Sequence, residues 1–253
     1  MRVQAARASA WAHPQAARAR ARAFLDELCR WGVRDVVVSP GSRSTPLAMC
    51  AYELSRRAPE RLRLFVDVDE RGAAFFALGL AKAGGCPAAL ICTSGTAVAN
   101  YYPAVLEAES SRVPLIVLTG DRPPRLQGLG APQTCDQLKA YGDHVRAFRQ
   151  MPLPSADAAS LAFARQAARE ACAAAGGDVG VGEAAAAAVC ADGCGVTARI
   201  AGCCAGGPVH LNFPFDEPLK PDLSTTRLFD GGRARMVCAG VAARAEAAVC
   251  AGA

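Results

Sequence analysis

The sequence predicts an α/β fold in which helices cover both faces of a parallel sheet. Apolar strands alternate with helical segments of about 10 to 15 residues, a pattern typical of parallel sheets. The predicted strand ends, at Ser39, Asp69, Thr93 and Thr119, are 30, 24 and 26 residues apart. The strands are dominated by apolar residues, which indicates that they are buried on both faces.

Each element follows from its local pattern. An amphipathic helix is predicted from Gln15 to Arg30, ahead of the first strand. Strands are then predicted at 35–38, 62–68, 88–92 and 114–118, and helices at 45–57, 70–83 and 97–110. A helix from about Ala156 to Ala174 closes the domain, and an extended strand begins at Gly207.

This pattern divides the chain into five parts. They are an N-terminal extension (1–14), the α/β domain (15–170), a low-complexity insertion (171–206), a last strand with linker (207–228), and the beginning of a truncated second α/β domain (229–253). The insertion holds 13 Ala, 8 Gly and 5 Cys among 36 residues. The segment has few large apolar side chains to bury, so burial cannot offset the conformational entropy that it would lose on ordering. We therefore expect it to be mobile. A lone strand and helix cannot form a core, which favours a chain that ends inside its second domain.

The composition excludes several classes of function. The net charge is only +5, without a basic stripe, which disfavours nucleic-acid binding. No apolar run reaches the about 18 residues of a transmembrane helix. The 12 cysteines are scattered without CxxC spacing, so they predict neither a disulfide scaffold nor a zinc site. The first 25 residues carry five Arg and no acid, as transit peptides do, but the first helix accounts for many of them.

The polar residues after the strands form the candidate site, because ligands bind beyond the carboxyl ends of parallel strands. After the first strand, Ser42 and Arg43 lie at a helix start. Free backbone N–H groups and a guanidinium there favour a carboxylate or phosphate. A Pro-Gly turn with Ser44 as helix cap explains the same residues equally well.

Glu70 is the candidate acid or base. Asp69 is a natural helix N-cap and Glu70 favours the helix dipole, so a structural role accounts for both carboxylates. Glu70 also lies between a strand of buried type and a helix that carries Phe75 and Phe76. A carboxyl group in such an apolar setting can exchange a proton with a bound base.

The other two strand ends give weak signals by themselves. The segment TSGTAVAN, at 93–100, resembles a phosphate loop but lacks the lysine and the glycine spacing of nucleotide-binding motifs. Arg122 and Gln133 lie on a long polar loop that also fits an ordinary surface connection.

In combination, these motifs resemble one family. The ordered set SPGSRSTPL, DERGAAFFALGLAKA, TSGTAVANYYPAVLEA, LTGDRPP, GAPQT and GPVHLNFPFDEPL is similar to the amino-terminal part of the 2-succinyl-5-enolpyruvyl-6-hydroxy-3-cyclohexene-1-carboxylate (SEPHCHC) synthase family, known as MenD. The resemblance runs from about Gln15 to Pro221, apart from the insertion. It implies a pyrimidine-binding domain at 15–170, and RMVCAG at 235–240 resembles the first strand of the family's middle domain.

The resemblance also implies an activity and a set of site residues. The family is a thiamin-diphosphate-dependent transferase that decarboxylates 2-oxoglutarate and joins it to isochorismate, in menaquinone or phylloquinone biosynthesis. Glu70 would be the catalytic carboxyl group at the cofactor pyrimidine N1′. The resemblance places beside the cofactor Thr93, Ser94, Gly95, Thr96 and Asn100. It assigns to substrate binding Ser42, Arg43, Arg122 and Gln133.

Departures from the family pattern limit what the chain is expected to do alone. The family binds Mg²⁺ and the diphosphate through a Gly-Asp-Gly motif and a later Asn in a carboxyl-terminal domain, and no segment here fits that pattern. We therefore assign no metal ligand in this chain. Because family active sites form between subunits of a dimer or tetramer, we expect the isolated chain to be inactive without a complementary domain.

Two alternatives stay open at this point. One is a related thiamin-diphosphate carboligase of the acetolactate synthase type. The other is a non-catalytic remnant that binds a metabolite or pairs with full-length subunits. The expected compartment is the cytoplasm, or the chloroplast stroma if the source is a photosynthetic eukaryote.

Overall fold

Six parallel strands form one sheet with helices on both faces, which confirms the predicted fold class. The computed structural model describes residues 14–176 and 206–220. The strands are β1 (Asp35–Val38), β2 (Arg63–Val66), β3 (Ala88–Cys92), β4 (Leu115–Asp121), β5 (Ala147–Gln150) and β6 (Pro208–Pro214). Their order in the sheet is β2-β1-β3-β4-β6-β5. The predicted N-terminal extension up to residue 13, most of the insertion and the predicted second domain lie outside the described residues.

The helices divide between the two faces of the sheet. In chain order they are α1 (Pro14–Arg30), α2 (Thr45–Arg57), α3 (Glu70–Gly84), α4 (Thr96–Asn100), α5 (Tyr102–Ser110) and α6 (Ala158–Gly176). Helices α1, α2 and α6 share one apolar core with Val36 and Val38, whereas α3, α4 and α5 share the other with Val37. Alternate residues of a strand therefore serve opposite cores, as the period of a β-strand requires.

Two predicted elements differ in the structure. The strand predicted at 62–68 covers only Arg63–Val66 and lies at an edge of the sheet. Val66 and Val68 are 64% and 81% exposed, so the end of the predicted strand is not buried. The helix predicted at 97–110 is interrupted at Tyr101. Pro103 has no N–H to donate to the carbonyl four residues before it, which interrupts the first helix, and proline is well tolerated in the first turn of the helix that follows.

The sheet also extends beyond its predicted limits. Strand β4 continues past Leu118 to Asp121, because β6 pairs with it residue by residue up to Asp121 and Pro214. Strand β5 was not predicted, since its sequence AFRQ is short and mixed and it lies at an edge. Its register places Gln150 beside Asn212 of β6.

An ionic cluster joins α1 to α6 on the first face. Two buried carboxylates, Asp26 and Glu27, are its centre. The guanidinium groups that contact them come from Arg30, Arg61, Arg165 and Arg169. Asp26 alone accepts from Arg61 on Oδ1 (3.1 Å) and from Arg165 and Arg30 on Oδ2 (3.0 and 3.2 Å). We call these six residues the ionic cluster.

Candidate active site

The loops that leave β1 and β3 lie at the carboxyl edge of the sheet, and we call the region around them the crevice. The two strands are neighbours, but the helices that follow them, α2 and α4, pack on opposite faces. Such a switch point is where open α/β sheets bind ligands. The backbone N–H of Arg43 donates to Thr93 Oγ1 across the crevice floor (3.2 Å).

Two glycines allow the loops to approach this closely. A Cβ at Gly41 would lie 2.6 Å from Thr93 Cγ2, and a Cβ at Gly120 would lie 2.8 Å from the Arg43 carbonyl oxygen. Ser44 occupies the N-cap position of α2, but its hydroxyl donates to the Gly41 carbonyl and caps nothing. The alternative interpretation of Ser44 as a side-chain cap is therefore wrong.

Arg43 is a buried cation with spare hydrogen-bonding capacity. It is 7% exposed and donates from Nη1 to the Phe215 carbonyl (3.0 Å) and from Nη2 to Glu217 Oε1 (3.3 Å). Its Nε is buried with no hydrogen-bond partner. Burial, and next the positive charge of Arg122, lower the pKa of the Arg43 guanidinium from its ordinary value. Two guanidinium groups close enough to affect one another favour the binding of an anion in this region.

The segment at Ser94 draws together three of the predicted residues. Arg122 Nη1 donates to Ser94 Oγ and to the Gln133 carbonyl, the latter at 2.7 Å. Gln133 Nε2 donates in turn to the Ser94 carbonyl (3.3 Å). Gly95 has a φ of +79°, and a Cβ there would lie 3.0 Å from Gln133 Cγ. Glycine is therefore required where the loop after β3 meets the loop that carries Gln133.

Glu70 begins α3 at the adjoining end of the crevice. Asp69 caps the helix by accepting from the N–H groups of Arg71 and Gly72, as its position predicts. Asn100 Nδ2 donates to Glu70 Oε2 (3.2 Å), which brings two of the predicted cofactor residues together. The predicted apolar setting is only partly present, because Glu70 is half-buried and Phe75 and Phe76 are exposed.

The remaining predicted residues differ in their burial. Thr93 is buried at the floor of the crevice, whereas Ser42 and Thr96 have exposed side chains at the starts of their helical turns. The predicted site residues therefore form two groups. One group lies around connected loops and consists of Ser42, Arg43, Thr93, Ser94, Gly95, Arg122 and Gln133. The other lies around the ends of α3 and α4 and consists of Glu70, Thr96 and Asn100.

A buried set of polar side chains beneath the site was not predicted. Asn212 of β6 donates from Nδ2 to Asp121 Oδ2 and to Gln150 Oε1, both at 2.8 Å. Its Oδ1 accepts from Thr119 and from Gln137, at 2.8 and 2.9 Å. We call Thr119, Asp121, Gln137, Gln150, His210 and Asn212 the amide network. Its sequence signal is VHLNF, where two polar residues fall on one face of a buried strand and so require partners.

Hydrogen bonds and burial act together on the two titratable members of the amide network. Since the Thr119 hydroxyl donates to Asn212, the ring N–H of His210 at Nε2 must be the donor to Thr119 Oγ1 (2.8 Å). Burial lowers the pKa of His210 to about 3, so the ring is neutral. Burial raises the pKa of Asp121, although hydrogen bonds from Asn212 and the Arg122 backbone oppose this shift.

Metal and membrane features are absent from the described part of the chain. Across residues 14–176 and 206–220, no group of three or more His, Cys, Asp or Glu side chains could hold a metal ion. No helix in these same ranges is long and apolar enough to cross a membrane.

Comparison with known proteins first defines the class of domain. Residues 19–140 match the family described as thiamine pyrophosphate enzyme, N-terminal TPP binding domain. The matched range covers the strands β1 to β4 and the loops that carry all ten predicted site residues. The six-stranded parallel sheet is the architecture expected of this pyrimidine-binding domain.

The relatives then confirm the particular resemblance drawn from the motifs. The chain is 46% identical over 210 residues to the 2-succinyl-5-enolpyruvyl-6-hydroxy-3-cyclohexene-1-carboxylate synthase of Bacillus cytotoxicus, which covers 83% of this chain and 31% of the relative. The synthases of Listeria innocua and Oceanobacillus iheyensis are each 47% identical over 201 residues, covering 79% of this chain and 29% of the relative. The chain therefore spans about a third of the length of the curated relatives it matches.

Proposed function

We propose that this chain supplies the pyrimidine side of the active site of a SEPHCHC synthase. The complete enzyme would be a thiamin-diphosphate-dependent transferase that decarboxylates 2-oxoglutarate and joins the product to isochorismate, in menaquinone or phylloquinone biosynthesis. Sequence identity to the bacterial synthases supports the reaction. The observation that carries the proposal is Arg43, a buried guanidinium whose Nη2 pairs only with the exposed carboxylate of Glu217, a partner that a substrate carboxylate can replace.

The charge of the crevice suits two anionic substrates. Burial, and next the charge of Arg122, lower the pKa of Arg43, and the nearby carboxylates only partly oppose this shift, so a bound anion would stabilise both cations. A carboxylate can accept two parallel N–H bonds from a guanidinium, which selects carboxylates over neutral groups. The exposed hydroxyl of Ser42 and the side chain of Gln133 border the same crevice and would bind polar groups of the substrate.

Glu70 and its neighbours fit the pyrimidine part of the cofactor. Glu70 Oε2 accepts from Asn100, and Oε1 has no hydrogen-bond partner among the described residues. Glu70 would hold the aminopyrimidine at N1′ through a shared proton, and the segment 93–96 would line the pyrimidine side of the site. When bound, thiamin diphosphate supplies the electron sink for decarboxylation of the keto acid.

The described residues do not fit a Mg²⁺ site. Divalent magnesium needs several oxygen ligands in octahedral geometry, and no suitable group of side chains lies at the crevice or elsewhere within 14–176 and 206–220. We propose that the metal and the diphosphate are bound by a complementary domain, in a homo-oligomer of dimeric or tetrameric form. The synthases of Bacillus cytotoxicus and Listeria innocua are bacterial proteins, which favours the cytoplasm over a plastid as the compartment.

Titration of the chain with isochorismate tests the proposal. We expect saturable binding that Arg43→Gln weakens by about tenfold or more, since a charge-assisted pair is lost. Arg56→Gln removes the same charge from the far end of α2 and should leave the affinity unchanged. Equal binding by both variants would contradict the assignment of Arg43.

Turnover tests the role of Glu70. We expect the chain to form product only when a diphosphate-binding domain of a relative is added, and Glu70→Gln to abolish that product. Substrate binding without any product in the reconstituted mixture would favour the metabolite-binding alternative. Turnover by the isolated chain would show that it needs no complement.

A further inference from the structure

Gln137 joins three separate elements beneath the crevice. It is 1% exposed and lies on the long connection between β4 and β5. Its Nε2 donates to the Gly120 carbonyl (3.2 Å) and to Asn212 Oδ1 (2.9 Å). Its Oε1 accepts from the backbone N–H of Gly95 (3.0 Å). One amide therefore contacts the loop after β3, the end of β4 and the middle of β6.

The orientation of this amide has only one solution. If the Gln137 amide were flipped, its oxygen would face two acceptors, and its NH₂ group would face the N–H of Gly95. Asn212 cannot flip to accommodate it, because its own NH₂ group is used by Asp121 and Gln150. The donors and acceptors of both amides are matched, which makes the arrangement specific as well as stable.

The hydrogen bond to Gly95 determines the shape of the site wall. Gly95 has a left-handed φ of +79° and packs against Gln133, which itself has a φ of +55°. Ser94, the residue before it, contacts Arg122. An unpaired Gly95 N–H in this buried position would be costly, so loss of the Gln137 amide favours a different backbone at Ser94 and Gly95.

We propose that Gln137 is a positioning residue, which holds the Gly95 peptide and the Gly120 carbonyl so that Ser94, Arg122 and Gln133 converge on the substrate. The positioning itself depends only on contacts within the chain, whereas the identity of the ligand rests on the proposed function. Gln137 acts through these contacts and touches neither the substrate nor the cofactor.

Amide hydrogen exchange of the ligand-free chain tests the positioning directly. The variants are Gln137→Met, which removes all three hydrogen bonds, and Gln137→Glu, which keeps the shape. Gln166→Glu on the exposed face of α6, where the new carboxylate lies beside Glu170, is the charge-matched control. We expect the Gly95 amide to exchange at least about tenfold faster in Gln137→Met, as the loss of one buried hydrogen bond predicts. Unchanged exchange at Gly95 in a folded Gln137→Met would overturn the proposal.

The pH profile of Gln137→Glu separates positioning from a general loss of structure. A buried carboxylate would face the Gly120 carbonyl and Asn212 Oδ1, but a protonated Glu can donate to Asn212 and still accept from Gly95. We compare the Gln137→Glu variant with wild type at each pH. As the pH falls, the ratio of their Gly95 exchange rates and the ratio of their isochorismate affinities should both approach one. A constant ratio to wild type at every pH would overturn the proposal, even if Gln137→Met fails to fold.

The two proposals fail in different ways. If Gly95 exchange responds to Gln137 but no variant, including wild type, binds isochorismate, the proposed function is wrong and the positioning of Gly95 is supported. If wild type binds isochorismate and Gln137→Met binds it with equal affinity, the positioning role is wrong and the proposed function is unaffected.

Discussion

The ionic cluster and the amide network are both buried and polar, but they tolerate change differently. In the ionic cluster, Asp26 contacts three guanidinium groups, and Arg165 bridges Asp26 and Glu27. Loss of any one arginine therefore leaves both carboxylates with another cationic partner. In the amide network, each NH₂ hydrogen of Gln137 and Asn212 has one partner. The first arrangement joins α1 to α6, away from the crevice, and the second lies directly under the candidate site.

Asp26→Ala gives the largest effect expected from this comparison. It leaves Arg30, Arg61 and Arg165 without their shared buried carboxylate, and such losses typically cost about 3–5 kcal/mol. The free energy of unfolding in urea should fall by that amount. Isochorismate affinity of the folded fraction should not change, because the ionic cluster does not contact the crevice loops.

Glu170→Ala on α6 is the control for Asp26→Ala. Glu170 pairs with Arg149 at the surface, where an ion pair contributes about 0–1 kcal/mol. A loss of stability as large as that of Asp26→Ala would mean that burial is not what distinguishes the ionic cluster.

Asn212→Asp tests the amide network with the next largest effect. It replaces a donor by a carboxylate oxygen next to Asp121 Oδ2, where the original distance is 2.8 Å. Leaving buried groups unsatisfied costs about 1–3 kcal/mol, and more when they are charged. Two adjacent carboxyl groups raise the pKa of one of them, so the lost stability should return as the pH falls through that raised pKa.

Isochorismate affinity distinguishes the two regions in the same experiment. Asn212→Asp should weaken binding as well as folding, since Asp121 and Gln137 both depend on Asn212. A variant that loses stability at neutral pH but keeps its full affinity would show that the amide network, like the ionic cluster, supports only the fold.

His210 gives a smaller effect that depends on pH. Its folded pKa of about 3 lies below the ordinary value of 6.5, so protonation favours the unfolded chain. The neutral ring makes its full contribution to the free energy of unfolding above about pH 6.5. This contribution is lost as the pH falls toward 3, by at most about 1.4 kcal/mol per pH unit. His210→Gln should remove this part of the slope when urea unfolding is compared at pH 7 and pH 5. An unchanged slope would mean that His210 is hydrated in the folded state.

His144→Gln is the matched control for the pH experiment. His144 lies half-exposed at the surface beside Glu109 Oε2, at 2.7 Å. Its substitution should change the free energy of unfolding by less than about 1 kcal/mol at either pH, because an exposed pair contributes little.

The sequence predicts elements best where burial is uniform. The predicted bounds of β1 and β3 are correct, because those strands are apolar and central. Of the two edge strands, β2 is shorter than predicted and β5 is not predicted at all. The break at Tyr101 follows from Pro103, a local signal that the helical pattern concealed.

The candidate site was predictable only at the residues that belong to motifs. Arg43, Ser94, Arg122 and Gln133 lie around one crevice as the strand ends imply, although their roles remain predictions. Gln137 could not be found in this way, because its partners Gly95 and Asn212 are 42 and 75 residues distant along the chain. The function of a buried amide depends on which partners the fold brings to it, and a motif does not contain that information.

Glu217→Gln gives the smallest expected effect and tests whether an internal carboxylate competes for Arg43. Glu217 is 66% exposed and accepts from Arg43 Nη2 at 3.3 Å, so the pair is weak and a substrate carboxylate can displace it. Removing the charge should tighten isochorismate binding by up to about fivefold, and high salt should reduce the gain. Asp216→Asn is the comparison, because Asp216 is ion-paired with Arg125 and acts on Arg43 only through the attraction of its charge, so its effect should be smaller. Weaker binding by Glu217→Gln would instead mean that Glu217 orients the Arg43 guanidinium for the substrate, which would extend the positioning role of the amide network to the other side of the crevice.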